Sequence, residues 1–191
     1  FMLSGLKKLF NFRSAASVLY ISANAYLFSQ NISDMGSLQL YASSLMMLCS
    51  ASLFLSHYSP KWLFASGGTL IAGQTLIAFS AQGVGESISH LGAIPPILQG
   101  GLLIRAGWQS LSESRFSSNS KLTKAFEIID RYPLASAGLI EAPGTAAIAV
   151  GAFLNKDFDL ALSATGWTLG NLCLAASDPA LQAKFRGNFP R

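Results

Sequence analysis

Residues 133–154 read PLASAGLIEAPGTAAIAVGAFL, and the one charged side chain among them is Glu141. At about 1.5 Å per residue, a helix over this stretch covers about 30 Å, the thickness of a bilayer's hydrocarbon core. Its apolar and small residues run all the way round, with no polar stripe at helical spacing. A helix on the surface of a soluble protein would carry such a stripe. The stretch therefore reads as a membrane span, and the rest of the chain follows the same pattern.

Five further apolar runs occupy about 14–30, 37–57, 62–82, 88–108 and 159–177. The breaks between them hold turn residues: Asn31 to Gly36, Tyr58-Ser59-Pro60, Gly83-Val84-Gly85 and Asn155-Lys156-Asp157. A longer break runs from Ser110 to Tyr132. The 191 residues are 51% apolar and 12% charged, against about a quarter charged in an ordinary soluble domain. Little chain remains for a separate soluble domain. The expected fold is all-α, a polytopic membrane helix bundle of six transmembrane helices arranged as three hairpins.

Charge sets the orientation. Thirteen residues are Lys or Arg. With the N terminus inside and six crossings, all of them except Lys156 fall on the inner side. Such asymmetry is the signature of cytoplasmic loops. Both termini are expected on the cytoplasmic side of a cell (inner) membrane. The same distribution argues against nucleic acid as the partner of the +4 net charge. The lipid bilayer is the expected partner, with homo-oligomers or unlike membrane subunits as further candidates.

Three flanking segments complete the layout. Residues 1–13 contain Leu3, Leu6 and Phe10 at helical spacing beside Lys7 and Lys8, an interfacial amphipathic pattern. In the long inner loop, about 120–131, Ser120 caps a helix with Leu122, Ala125, Phe126 and Ile129 on one face and a Glu127–Arg131 pair on it. Residues 14–178 form the transmembrane domain, and 179–191 a basic cytoplasmic tail.

The three outward-going spans share Ala-Ser-x5-Ala, at Ala16-Ser17 with Ala23, Ala65-Ser66 with Ala72, and Ala135-Ser136 with Ala142. Repeated hairpins of this kind occur in transporters. The sixth span carries Gly166-x3-Gly170, a spacing that lets helices approach closely, between copies or inside one bundle.

Glu141 is the leading site residue. An ionised carboxylate at mid-membrane is costly unless it faces water, a partner or the bundle interior. Pro143 leaves a carbonyl one turn earlier without its donor and Gly144 loosens the same turn, which predicts a broken helix beside Glu141. Asn24 and Gln74 lie at the matching depth of the first and third spans. Pro95 and Pro96 predict a second discontinuous helix, with Gln99 one turn on. Asn24, Gln74, Pro96, Gln99, Glu141, Pro143 and Gly144 are thus the expected substrate- or ion-binding residues.

Other chemistries find little support. His57 and His90 fall at opposite membrane faces, and no metal-ligand spacing occurs, so no metal or cofactor is expected. Cys49 and Cys173, without CxxC spacing, read as packing residues. No nucleophile motif appears. The expected function is a small transporter or channel-like protein for a small solute or ion. Two other readings fit the same residues: an accessory subunit of a larger membrane complex, and an intramembrane enzyme acting on lipid.

Overall fold

A computed structural model describes residues 11–33, 36–80, 86–111 and 124–188. Of these, residues 31, 80, 86–91, 124–127 and 186–188 are described by their backbone alone. Residues 1–10, Gly83-Val84-Gly85, Ser120 and Leu122 lie outside the described residues. So do the side chains of His90, Ala125, Phe126 and Glu127.

The described chain is all-helical. Six long helices are α1 (Phe12–Asn31), α2 (Ser37–Leu55), α3 (Lys61–Ser80), α4 (Glu86–Leu111), α6 (Pro133–Leu154) and α7 (Phe158–Ala176). Two short ones are α5 (Lys124–Arg131) and α8 (Pro179–Asn188). Their bounds fall within three residues of the apolar runs, because turn residues set both. Residues 37–55, 61–79 and 133–154 are long and apolar enough to cross a membrane, at mean hydropathies of 1.5, 1.3 and 1.5.

Hydrogen bonds at the helix ends fix the directions. Asn11 caps α1, its Oδ1 accepting the Ser14 N–H at 2.8 Å, and its Nδ2 lies 2.8 Å from Nδ1 of His57. Arg13 donates to the Ser56 carbonyl at 3.4 Å. Asp178 accepts the Leu134 N–H at 3.0 Å. The starts of α1 and α6 therefore share one end of the bundle with the ends of α2 and α7. At the opposite end Tyr26 donates to Asp159 at 2.5 Å. Neighbouring helices run up and down.

Each long helix packs on the next, in the order α1, α2, α3, α4, α6, α7 and back to α1. The bundle is a closed ring of six. Small residues fill the contacts: Ala16, Ala137, Ala164, Ser17 and Ser66 are all 0% exposed. Large apolar residues point outward, with Phe79 74% and Leu154 73% exposed. Small contact residues let backbones approach closely, as in membrane bundles.

Four local findings depart from or extend the sequence reading. Helices α4 and α6 continue through Pro95, Pro96 and Pro143 without the expected breaks. Each proline removes one intrahelical bond, and the turns on either side hold the helix together. In the Ala-Ser-x5-Ala elements Ala23 and Ala142 are buried but Ala72 is exposed, so the three do not share one environment. The chain after Asp178 begins with a helix, Pro179–Asn188. Finally, α5 docks through Asp130, which pairs with Arg105 of α4, while Gln109 donates to the Asp130 carbonyl at 3.1 Å.

Candidate functional site

The ring of helices encloses a cavity of about 550 Å³ whose wall draws on all six. From α1 come Tyr20 and Asn24; from α2, Met46 and Ser50; from α3, Gln74. Helix α4 supplies Pro95, Pro96 and Gln99, α6 supplies Glu141, Gly144 and Thr145, and α7 supplies Trp167. Six of the seven residues singled out in the sequence thus line one cavity. Pro143 does not: it is exposed and lies outside the lining.

The polar side chains in the wall form a connected network. Its hub is Asn171 of α7, which is 0% exposed. Asn171 Oδ1 accepts the Tyr20 hydroxyl and, at 2.7 Å, Nε2 of Gln99. A carbonyl oxygen has two lone pairs, and both are used. Two donors on one atom fix the amide's orientation and aim Nδ2 at α6. There it reaches Thr145 Oγ1 at 3.4 Å. Thr168 also donates to Thr145, at 3.0 Å. One side chain therefore links α1, α4 and α6 to α7.

A second polar group lies on the same wall. Trp167 Nε1 donates to Asn24 Oδ1 at 3.0 Å, and Asn24 Nδ2 reaches Ser50 Oγ at 3.4 Å. Gln74 meets a weaker acceptor, the Met46 sulfur, at 3.6 Å. A thioether holds an amide loosely compared with a carbonyl.

Three glycines bring these helices close enough to bond. A Cβ at Gly138 would sit 2.2 Å from the Asn171 carbonyl oxygen. One at Gly170 would sit 2.9 Å from the Tyr20 ring. Gly166 faces Ala23 of α1 in the same way. The Gly166/Gly170 spacing is therefore spent on α1 within the chain.

Pro96 adds an acceptor to the wall. Lacking an N–H, it leaves the Gly92 carbonyl without its helical donor, and Gly92 lines the cavity. No Lys, Arg or His is among the described lining residues, and Glu141 is the one carboxyl there. Among the described residues no group of three metal-ligating side chains forms. Cys49 and Cys173 are free thiols.

Sequence reasoning missed Tyr20, Asn171, Thr145 and Trp167 as site residues. Asn171 carried a signal, a carboxamide deep in an apolar run, beside the Gly166-x3-Gly170 spacing. No protein family, curated protein or solved structure matches the chain.

Proposed function

We propose that the chain is a six-span membrane protein of the cell (inner) membrane, its three hairpins placing both termini in the cytoplasm. We further propose that it carries a small solute or ion through the bundle, with Glu141 as the protonatable or cation-binding group. Asn24, Gln74 and Gln99 would be its polar partners. The observation that carries the reading is the cavity: a carboxyl and three carboxamides from four helices share one chamber inside a closed ring.

Three features support the membrane part of the reading. Many large apolar side chains, such as Phe79 and Leu154, face outward, and small residues fill helix contacts, as expected where lipid is the solvent. The described helices alternate in direction, so an even number of crossings brings the two ends of the chain to one side. Arg13, Lys61, Arg105 and Arg131 all fall at that end, and Lys156 falls at the other.

The transport step follows from electrostatics. A carboxylate in this cavity needs either a proton or a cation to offset its charge, because its surroundings solvate it poorly. Exchanging one for the other changes which helix contacts are favourable around Glu141, and the ring can respond by opening towards one end or the other. The test is flux in proteoliposomes holding a pH-sensitive dye. Imposed gradients of sodium, potassium, choline and small amines should move charge or protons through the wild-type chain, and Glu141→Gln should abolish it. Wild-type vesicles indistinguishable from protein-free ones across that panel would refute the proposal.

A further inference from the structure

We infer that the ligand of this cavity is an organic monocation with an apolar body, taken up in exchange for one proton. The inference rests on the reading of the Glu141 cavity as a transport site and names its substrate class.

Size comes first. A chamber of about 550 Å³ falls within the roughly 300–1,000 Å³ of sites that take drug-sized molecules, and a dehydrated metal ion would leave most of it empty. The wall comes second. Leu53, Leu70, Leu103, Ile148 and Leu174 line it, and a polyol pressed against them would lose hydrogen bonds to water without replacement. Charge comes third. Glu141 is the one carboxyl and no basic side chain lines the described wall, so an anion would meet repulsion and a cation attraction. Aromatic rings come fourth. Tyr20 and Trp167 line the same chamber, each tethered by its polar tip to an asparagine. Rings of this kind favour ammonium and phosphonium groups.

The exchange balances. The empty cavity is neutral when Glu141 holds its proton. Binding a quaternary ammonium or phosphonium ion forms an ion pair with the carboxylate, and the O–H proton leaves to water. Both states are neutral, so neither carries a lone charge through the apolar ring.

The experiment is calorimetric titration of the purified chain in mild detergent with tetraphenylphosphonium, below neutral pH, in buffers of different ionisation enthalpy. Tetraphenylborate, similar in size and opposite in charge, is the control. Wild type should bind the phosphonium and release about one proton per cation bound. Glu141→Gln should lose at least tenfold in affinity and all proton release, while Glu141→Asp keeps the release. Gly144→Leu provides a second route. A Cβ there meets nothing within 4 Å, so leucine would fill the chamber while leaving the carboxyl in place, and it too should weaken binding at least tenfold. Equal binding of the borate, undiminished binding by Glu141→Gln, or binding without proton release would each overturn the inference. Its failure is separable from that of the transport reading. A chain that ignores the phosphonium yet moves only sodium or potassium across proteoliposomes loses only the substrate class. A chain that binds it through Glu141 yet shows no flux loses only the transport step.

Discussion

Asp178 Oδ2 accepts the backbone N–H of Leu134 at 3.0 Å, forty-four positions earlier in the chain. The same oxygen takes the Ala135 N–H at 3.1 Å, while Oδ1 takes those of Ala180 and Leu181 at 3.0 and 3.2 Å. One carboxylate thus caps the starts of both α6 and α8, and each of those helices opens with a proline that needs no donor partner of its own. Tyr132, the residue preceding α6, offers no side-chain cap, so Asp178 supplies from the end of α7 what the local sequence lacks.

Asp178→Ala should therefore act on two helices at once. A lost cap costs about 0.5–2 kcal/mol, and two together about 1–4 kcal/mol. Unfolding by SDS titration in mixed micelles reads this directly. Asp178→Asn keeps two acceptor lone pairs on one oxygen and should fall between wild type and alanine. A change under about 0.5 kcal/mol for Asp178→Ala would mean that the caps are replaced by water.

Asn171 poses a similar question inside the ring. Interhelical hydrogen bonds in membranes average only about 0.6 kcal/mol, because the separated helices find other partners. Tyr20→Phe, which removes one donor and leaves Asn171 Oδ1 with Gln99, should cost about 1 kcal/mol or less. Asn171→Leu strips the acceptor from two donors at once and should cost about 2–4 kcal/mol. The two substitutions should be non-additive by at least about 0.5 kcal/mol, since they share one bond. Additive effects would show that the Tyr20–Asn171 contact contributes nothing to the fold.

The difference between these residues and Glu141 explains what was legible in the sequence. The helix bounds follow from runs of apolar residues and the turn residues between them, which are local signals. Glu141, Asn24, Gln74 and Gln99 stood out because polar groups are rare in such runs. Their matched depth was readable in the sequence, while Pro143 lies off the cavity wall, because depth says nothing about which side of a helix a residue occupies. Tyr20 and Trp167 gave no warning, since aromatic residues in a span need no explanation until a partner is known. Those partners are distant: Tyr20 and Asn171 are 151 positions apart, Gln99 and Asn171 72. The Arg105–Asp130 pair that seats α5 was invisible for the same reason. Prolines were over-read as breaks because sequence shows the lost donor and not the neighbouring helices that hold the turn.

Gly138 tests whether close approach builds the site. Its added Cβ would meet the backbone at Asn171 and Ala175, and backbone cannot rotate away as a side chain can. Gly138→Ala should cost about 1–3 kcal/mol through overpacking and loosen the Asn171 contact with α6. Gly151→Ala is the matched control on the same helix. Nothing lies within 4 Å of its Cβ, so it should be neutral or stabilise by up to about 1 kcal/mol through helix propensity. Both are read by the same SDS titration, and equal effects at the two positions would refute the packing argument.

Lys156 decides the orientation. It closes the turn between α6 and α7 in the left-handed region, at φ 62°, at the end of the bundle opposite Arg13 and Arg131. Such a backbone costs a non-glycine residue about 1–2 kcal/mol, and nothing in the turn requires a lysine, so Lys156→Cys should fold normally once Cys49 and Cys173 are replaced by alanine. In intact cells a membrane-impermeant maleimide should label it, and should reach a cysteine at Lys184 only after the cells are broken. Cations held in the cytoplasm while a bundle inserts would produce that sidedness, and one exposed lysine outside is compatible with it. Labelling of both positions in intact cells, or of Lys184 alone, would mean that the crossings are fewer than six or that the chain inserts the other way up. Either result would remove the shared depth at which Glu141 meets Asn24 and Gln74.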